Sequence, residues 1–516
     1  MRSLTQADKR IFGDYQTPLE FSDDVCAYLK YDLGINPEVV IEPTCGFGNF
    51  LFSALKQFDS EKYFGIEINK EYIEIAASKI NDEKVLLYNS DFFSFDFKDI
   101  LEENKGKEIL IIGNPPWVNV STSSVWNGDN LPTKTNFKEH KGLDAITGSS
   151  NFDISEYIIL DLINTFENTN TTIALLCKTL VSRNVFLELK RKNVFFDYCK
   201  ILQFDARKIF DISADSCLLC LKLSTNGNQQ DKCDVFDFNK PNDLVSSFEY
   251  KDGKFYSDFR EESAKLDGHC CLEWRQGVKH DCSKIMELST VNGMLLNGKN
   301  EHVDIEEEFI YPLIKSSNIK THIISSAKKS VIVTQKKIKE DTQYIQSVAP
   351  RTWKYLNDNL ELFRARKSSI YRKSPEFSMF GIGDYTFSRY KVAISGFYKK
   401  PLFSLLHSDK PIILDDTCYF LSFDTYELAY VAMVILNSSI VGDFLKSIVL
   451  LDAKRPYTKK ILERIDFSKI LELEDYEYFK TTEKTLSLPS KLEVGMFDAF
   501  KKHITELSSC QNSLNI

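Results

Sequence analysis

No run of about 18 or more uncharged apolar residues, the length a bilayer-spanning helix needs, occurs anywhere in this chain of 516 residues. A membrane segment is therefore not expected. The opening stretch, MRSLTQADKRIFGDYQ, has no apolar core of the kind a secretory leader requires. Cysteine is sparse, with 12 in the chain, too few for a disulfide scaffold. Several lie inside apolar strand-like runs (Cys177, Cys217, Cys220), where reduced, buried thiols and a reducing cytoplasm are expected. The Cys217-Leu218-Leu219-Cys220 run has a metal-like spacing, but in an extended strand its two thiols point to opposite faces. No partner CxxC or HxxxH occurs, and His269, His280 and His302 are scattered. No metal is expected. Repeats and low-complexity tracts are missing too.

An excess of positive charge is also lacking, since the net charge is −9. Its distribution says more than its total. Between Ile310 and Lys410 there are 19 Lys and Arg against 7 Asp and Glu, a local +12 inside an acidic chain. Only local potential is felt beyond a Debye length of roughly 8–10 Å, so one basic stretch on an acidic body is compatible with a polyanionic partner.

From about residue 38 to 225, short apolar runs alternate with helical stretches. The runs are VVIEP (39–43), YFGIEI (63–68), VLLYNSD (85–91), EILIIGNPP (108–116), TIALLC (172–177), VFFDYCKILQF (194–204) and SCLLCLKL (216–223). Near-continuous apolar strands separated by helices predict a mostly parallel sheet covered on both faces, an α/β fold. The polar stretch STNGNQQDKCD (224–234) closes this unit, and beyond about residue 266 the pattern becomes irregular.

The strand ends carry the chemistry. In VVIEPTCGFGNFL, Glu42 ends the first strand, and Gly46 and Gly48 let the backbone approach a ligand closely. About twenty residues on, YFGIEIN ends in Glu67, a carboxylate able to accept both hydroxyls of a ribose. The third strand ends at Asn89-Ser90-Asp91-Phe92, where a carboxylate and an aromatic ring suit an adenine. The most specific signal is IIGNPPWVN (111–119). Pro115 and Pro116 fix φ and remove two N–H donors, leaving a turn of acceptors. The Asn114 side-chain oxygen and the Pro115 carbonyl can both accept from one –NH2 group. Trp117 offers a flat face for a base, with stacking worth about 1–3 kcal/mol.

The ordered set Tyr15-Gln16-Thr17-Pro18, EPTCGFGNF, GIEIN, NSDFF and NPPW resembles the gamma-class, TaqI-like N6-adenine DNA methyltransferases, with a C-terminal target-recognition domain, of the restriction-modification type. The specific motifs cover residues 10–225. The resemblance extends more loosely over 266–465 through WRQGVKHDCSKIMEL and EEFIYPLIKSSNIK. It implies a Rossmann-like S-adenosylmethionine-dependent methyltransferase domain followed by a mixed α+β DNA target-recognition domain. It places Thr17 and Pro18 over the cofactor; Glu42, Cys45, Gly46 and Gly48 around its methionine part; Glu67 at its ribose; Asp91 and Phe92 at its adenine; Ile68 is a further cofactor-binding candidate. Asn114, Pro115, Pro116 and Trp117 become the catalytic turn. Trp117 departs from the Tyr or Phe commoner there, which alters the pocket's shape. Phe152 and Tyr157 are candidates for a second aromatic supporting the target base.

The expected organisation is a catalytic domain over 1–230, a linker over 231–265, a target-recognition domain over 266–470 and a C-terminal helical segment over 471–516. The long polar segment between Val118 and Ser150 reads as a loop that orders around DNA. Within the basic window, TWKYL, FRARKSSIYRKS and FSRYKVAISGFYKK make Lys354, Arg364, Arg366, Arg372, Lys373, Arg389 and Lys391 the candidate contacts to double-stranded DNA. The resemblance also implies a separately encoded restriction endonuclease acting on the same site. Rival readings are methylation of the cytosine N4 amine, of RNA or of a protein glutamine, and, from another class, a non-catalytic DNA-specificity subunit.

Overall fold

The structure is a computed structural model that describes residues 15–118, 153–451 and 453–514. The chain divides into two units, residues 1–258 and 259–516. The first is built on one sheet of ten strands. Its strands are β1 (Val39–Glu42), β2 (Lys62–Glu67), β3 (Val85–Asn89), β4 (Ile109–Gly113), β5 (Thr171–Lys178), β6 (Phe196–Asp205), β7 (Asp215–Leu223), β8 (Lys232–Asp237), β9 (Lys240–Lys251) and β10 (Lys254–Tyr256). They lie in the order β10-β9-β8-β6-β7-β5-β4-β1-β2-β3. The run from β3 to β5 is parallel, and β7 inserts antiparallel between β5 and β6.

All residues of β1 and β4 are buried, which is why those segments read as unbroken apolar runs: a parallel strand covered on both faces has no solvent side to mark with polar residues. The described helices of this unit are α1 (Leu19–Tyr31), α2 (Asn49–Gln57), α3 (Lys70–Lys79), α4 (Lys98–Glu103), α5 (Ile154–Phe166), α6 (Thr179–Lys192) and α7 (Ala206–Phe210). Helix α1 buries Phe21, Val25 and Leu29, spaced four apart on one stripe. Three starts are fixed by side-chain caps: Asn69 for α3, Asp153 for α5 and Asp205 for α7 each accept a bond from a first-turn N–H.

The stretch 231–265, expected to be a linker, differs. Residues 232–256 form β8 to β10 and extend the sheet, with β8 parallel to β6 and Cys233 and Val235 buried. Polar residues spread along β8 and β9 hid these strands, because few of their side chains are buried.

The second unit contains two five-stranded sheets. One runs Arg275–Gln276, Cys418–Phe423, Tyr390–Ser395, Phe403–His407, Ile323–Ile324; the other runs Met294–Leu296, Glu287–Val291, Lys329–Ile332, Ile310–Ile314, Ile413–Leu414. Residues 471–516 supply the helices Tyr476–Thr485 and Val494–Leu514, which pack on Tyr426–Leu436. Tyr430 is tied to the former by a 2.7 Å bond to Glu483. Among the described residues no single helix is long and apolar enough to cross a membrane.

Candidate active site

In an open α/β sheet, ligands bind outside the carboxyl ends of the strands where the strand order reverses. Here β1 continues to β2 and β3 on one side while β4 and β5 build outward on the other, so the reversal falls between β1 and β4. A cavity of about 460 Å³ opens at that point, within the ordinary size of a small-molecule site. Its wall includes Thr17, Glu42, Cys45, Gly46, Glu67, Ile68, Asp91, Phe92, Asn114 and Pro116, drawn from five separate segments.

The glycine loop after β1 is held from both sides. Gly46 has φ +51° and Gly48 φ +71°, left-handed conformations that glycine adopts at little cost. Glu67 at the end of β2 accepts from the Gly46 N–H at 2.9 Å and from the Asn69 N–H at 2.8 Å, so one carboxylate pins two loops. From above, Gln16 accepts from the Phe47 N–H at 3.0 Å, and Asn49 donates to the Thr17 carbonyl at 2.6 Å. A Cβ on Gly46 would lie 2.4 Å from the Gln16 side-chain oxygen. Gly48 serves packing instead: a Cβ there would meet Ala76 and Ile80 at 3.1 Å.

Glu42 is 3 % exposed and accepts one bond, from the Leu51 N–H at 3.2 Å. Burial, chiefly, and the nearby Glu67 charge hold its carboxyl well above the usual carboxylate range, while the Leu51 bond and Lys79 pull the other way. Burial likewise pushes the Cys45 thiol up, which makes it an inert wall. Asp91 caps the short turn Phe92–Ser94 by accepting from the Phe93 N–H at 3.1 Å. Phe92 and Phe93, their rings 5.5 Å apart, stand beside it.

Asn114 lies just past β4. Its side-chain amide donates to the Tyr15 carbonyl at 2.9 Å, which fixes which end is nitrogen and which oxygen. Its Oδ1 is buried and finds no partner among the described residues. A buried acceptor left without a donor costs about 1–3 kcal/mol, so a ligand that donates there is favoured. The hydroxyls of Thr17 and Thr44, two more wall residues, are unpartnered in the same way.

Several sequence candidates stand off the cavity wall: Pro18, Gly48, Pro115, Trp117 and Tyr157. Trp117 differs most from expectation. It is 6 % exposed, its indole N–H donates to the Leu176 carbonyl at 3.3 Å, and its ring packs against Tyr15 and Phe210 at 6.4 and 5.5 Å between centroids. A large ring with one donor is stable where that donor is met and its faces are covered. Tyr157, on α5, sits edge-on to Phe93 at 5.5 Å. Phe152 and the segment from 119 to 150 lie outside the described residues. Sequence reasoning missed Gln16, Thr44 and Phe210. Gln16 and Thr44 left a signal, the first by adjoining Thr17-Pro18 and the second by lying inside EPTCGFGNF; Phe210 left none.

In the second unit the candidate cations divide. Lys354, Arg364, Arg372, Lys373 and Arg389 are exposed, with Arg364 bridged to Glu376 at 2.8 Å and Arg389 to Asp409 at 3.5 Å. Arg366 turns inward: it donates to the carbonyls of Phe363, His280, Ser378 and Glu376 and lies 3.8 Å over the Tyr371 ring. Lys391 is 1 % exposed and donates to the Ser388 and Ile412 carbonyls; burial lowers its ammonium to about 7. Both are therefore corrections to the candidate DNA contacts.

Residues 1–255 match the family model described as N-6 DNA Methylase. The type II methyltransferase M.NspV of Nostoc sp. is 42% identical over 468 residues, which span 88% of this chain and 96% of that protein. The type II methyltransferase M.VspI of Vibrio sp. is 31% identical over 116 residues, covering 22% of this chain and 28% of the relative. A solved structure of the type IIL restriction-modification enzyme MmeI in complex with DNA aligns with a TM-score of 0.49 at 13% identity, over 95% of this chain and 75% of that one. The chain belongs to the N-6 DNA methylase family, as a restriction-modification DNA methyltransferase that uses S-adenosylmethionine.

Proposed function

We propose that the cavity at the β1–β4 reversal holds S-adenosylmethionine and that the turn Asn114-Pro115-Pro116-Trp117 presents to it the N6 amine of an adenine extruded from duplex DNA. The observation that carries this reading is the buried Oδ1 of Asn114, without a partner among the described residues, its amide oriented by the Tyr15 carbonyl. The cofactor fits the wall: unpartnered Thr17 and Thr44 hydroxyls, an ionisable Glu42 for an ammonium group, Glu67 for ribose hydroxyls, and Asp91 with Phe92 for an adenine ring. When bound, it supplies an electrophilic methyl group.

The residues of the chain do the rest. Asn114 Oδ1 and the Pro115 carbonyl accept hydrogen bonds from the two amine N–H groups, which raises the nitrogen's nucleophilicity and aims its lone pair, and the proton shed as the methyl arrives passes to water. An adenine inside the stack cannot reach this site, so it is flipped out at a cost of a few kcal/mol. Tyr15 and Phe93, both on the cavity wall, are the aromatic surfaces for the extruded base; Trp117 and Phe210 back the first ring and Tyr157 the second. Alignment supplies much of the rate, and no covalent intermediate on the protein is needed. In the second unit, Lys354, Arg364, Arg372, Lys373 and Arg389 contact phosphate and base edges, making residues from 266 onward the target-recognition part. The enzyme works in the cytoplasm, with a separately encoded endonuclease directed at the same site.

Incubation with unmethylated genomic DNA and S-adenosylmethionine, followed by nucleoside mass spectrometry and methylation-sensitive sequencing, tests the reading. N6-methyldeoxyadenosine at one recurrent motif is the expected result. N4-methyldeoxycytidine would overturn the target base, and no methylated nucleoside would overturn the assignment of the site.

A further inference from the structure

A turn carrying two consecutive prolines exposes carbonyls and offers few N–H groups, so its own backbone cannot lock it. The donors must come from elsewhere. Here the end of β5 supplies both an acceptor and a donor. Leu176 accepts the Trp117 indole N–H at 3.3 Å, and Lys178 Nζ lies 3.4 Å from the Trp117 carbonyl oxygen. Lys178 also forms a 2.6 Å ion pair with Asp153, which is nearly buried. The other oxygen of Asp153 caps α5 by accepting from Ser155 N–H and Oγ–H, at 3.1 and 2.6 Å. Helix α5 in turn places Ile154 and Ile158 on the cavity wall, and the Ile154 N–H donates to the Val118 carbonyl at 2.9 Å.

We infer that Lys178, held by Asp153, is a positioning residue for methyl transfer: it joins the Asn114-Pro115-Pro116-Trp117 turn to α5 and so sets where the amine acceptors stand over the cavity. This rests on the functional reading above. Lys178 and Asp153 touch neither cofactor nor base; they act through Trp117 and α5. A misplacement of about 1 Å in such a site can lower turnover about 100-fold, whereas the cofactor's contacts on β1, β2 and β3 are untouched.

The test compares the full-length wild type with Lys178→Met, Lys178→Arg and Asp153→Asn. Transfer of labelled methyl from S-adenosylmethionine to unmethylated genomic DNA gives kcat and KM, and calorimetry gives cofactor Kd. The expected pattern is kcat down about 10- to 100-fold in Lys178→Met, with cofactor Kd and KM within about twofold of wild type, and most of kcat restored in Lys178→Arg. Asp153→Asn keeps a capping oxygen but loses the charge, so its kcat falls as well; this variant decides the matter should Lys178→Met not fold. Wild-type kcat in either Lys178→Met or Asp153→Asn overturns the inference. So does a kcat loss matched by equal loss of cofactor affinity and thermal stability, without rescue by Arg. A wild type that binds cofactor yet methylates no DNA defeats the functional reading instead.

Discussion

Replacing Gly46 with Ala is the sharpest probe of how the cofactor loop is held. Two costs follow from the geometry. A Cβ at φ +51° brings left-handed strain of about 1–2 kcal/mol. That Cβ would also sit 2.4 and 2.8 Å from the Gln16 amide oxygen and nitrogen. The amide is the far end of a flexible side chain, so it swings away, and the lasting loss is its bond to the Phe47 N–H. A net hydrogen bond contributes about 0.5–1.5 kcal/mol. Together these give about 1.5–3.5 kcal/mol of folding stability, since strain and the broken bond weigh on the loop with or without a ligand. The decisive assay is a double-mutant cycle with Gln16→Ala, read as the free energy of unfolding from denaturant titration. Gln16→Ala already lacks the bond that Gly46→Ala breaks, so in that background Gly46→Ala costs only the strain. The two changes should fall short of additivity by about 1 kcal/mol. Additivity within about 0.3 kcal/mol, the scatter of independent sites, would refute the idea that Gln16 closes over Gly46.

Further outcomes follow from the same geometry. Asn114→Ala should abolish transfer to DNA while leaving cofactor Kd within a few-fold, because the cofactor's other contacts remain; measurable turnover by the variant would dismiss Asn114 as amine acceptor. Burial holds the proton on Glu42 well above the usual carboxylate range, and a cationic ammonium beside it would favour the ionised form. Cofactor binding should then release a proton, and affinity should rise with pH until the raised value is passed. Calorimetry in buffers of different ionisation heat reads this, with Glu42→Gln releasing none; a wild type that also releases none at any pH counts against the contact. Arg372→Ala and Lys373→Ala should each weaken DNA binding and flatten the slope of log K against log salt by about 0.9, whereas Lys391→Met should leave the slope alone. The folded state holds Lys391 near 7, below its unfolded value of about 10.4. Unfolding takes up a proton between those limits, so wild type should gain stability relative to Lys391→Met as pH rises from 7 to 10, by at most about 1.4 kcal/mol per pH unit.

The strand ends were legible because their chemistry and their local structure coincide. A parallel strand must be apolar throughout, so the first acidic residue after each run marks both its end and its ligand-facing tip: Glu42, Glu67 and Asp91 were found in this way, and all three line the cavity. Asn114 was legible for a related reason, since two prolines after a strand announce a turn of acceptors. What holds these groups was not legible. Tyr15 meets Asn114 across 99 residues of chain, and Trp117 is met by Leu176 and Lys178 from a strand some sixty residues away. No local pattern encodes such pairings; only the strand order that sets β4 beside β5 does.

The basic window shows the opposite error, reading too much from charge. Arg366 and Lys391 were assigned to DNA because each sits among other cations, yet both spend their donors on backbone carbonyls inside the second unit. A signal existed. Lys391 opens the apolar run VAIS, in a strand paired on both sides and buried for nearly its whole length, where a cation finds carbonyls rather than phosphates. Arg372 and Lys373 follow Ser368-Ser369-Ile370-Tyr371 and precede Ser374, a polar surround in which both remain exposed. The company a cation keeps along the chain is thus a better guide to its partner than the local charge total. A lone cation in an apolar strand satisfies the fold, and paired cations in a polar turn are the ones free to meet a phosphate.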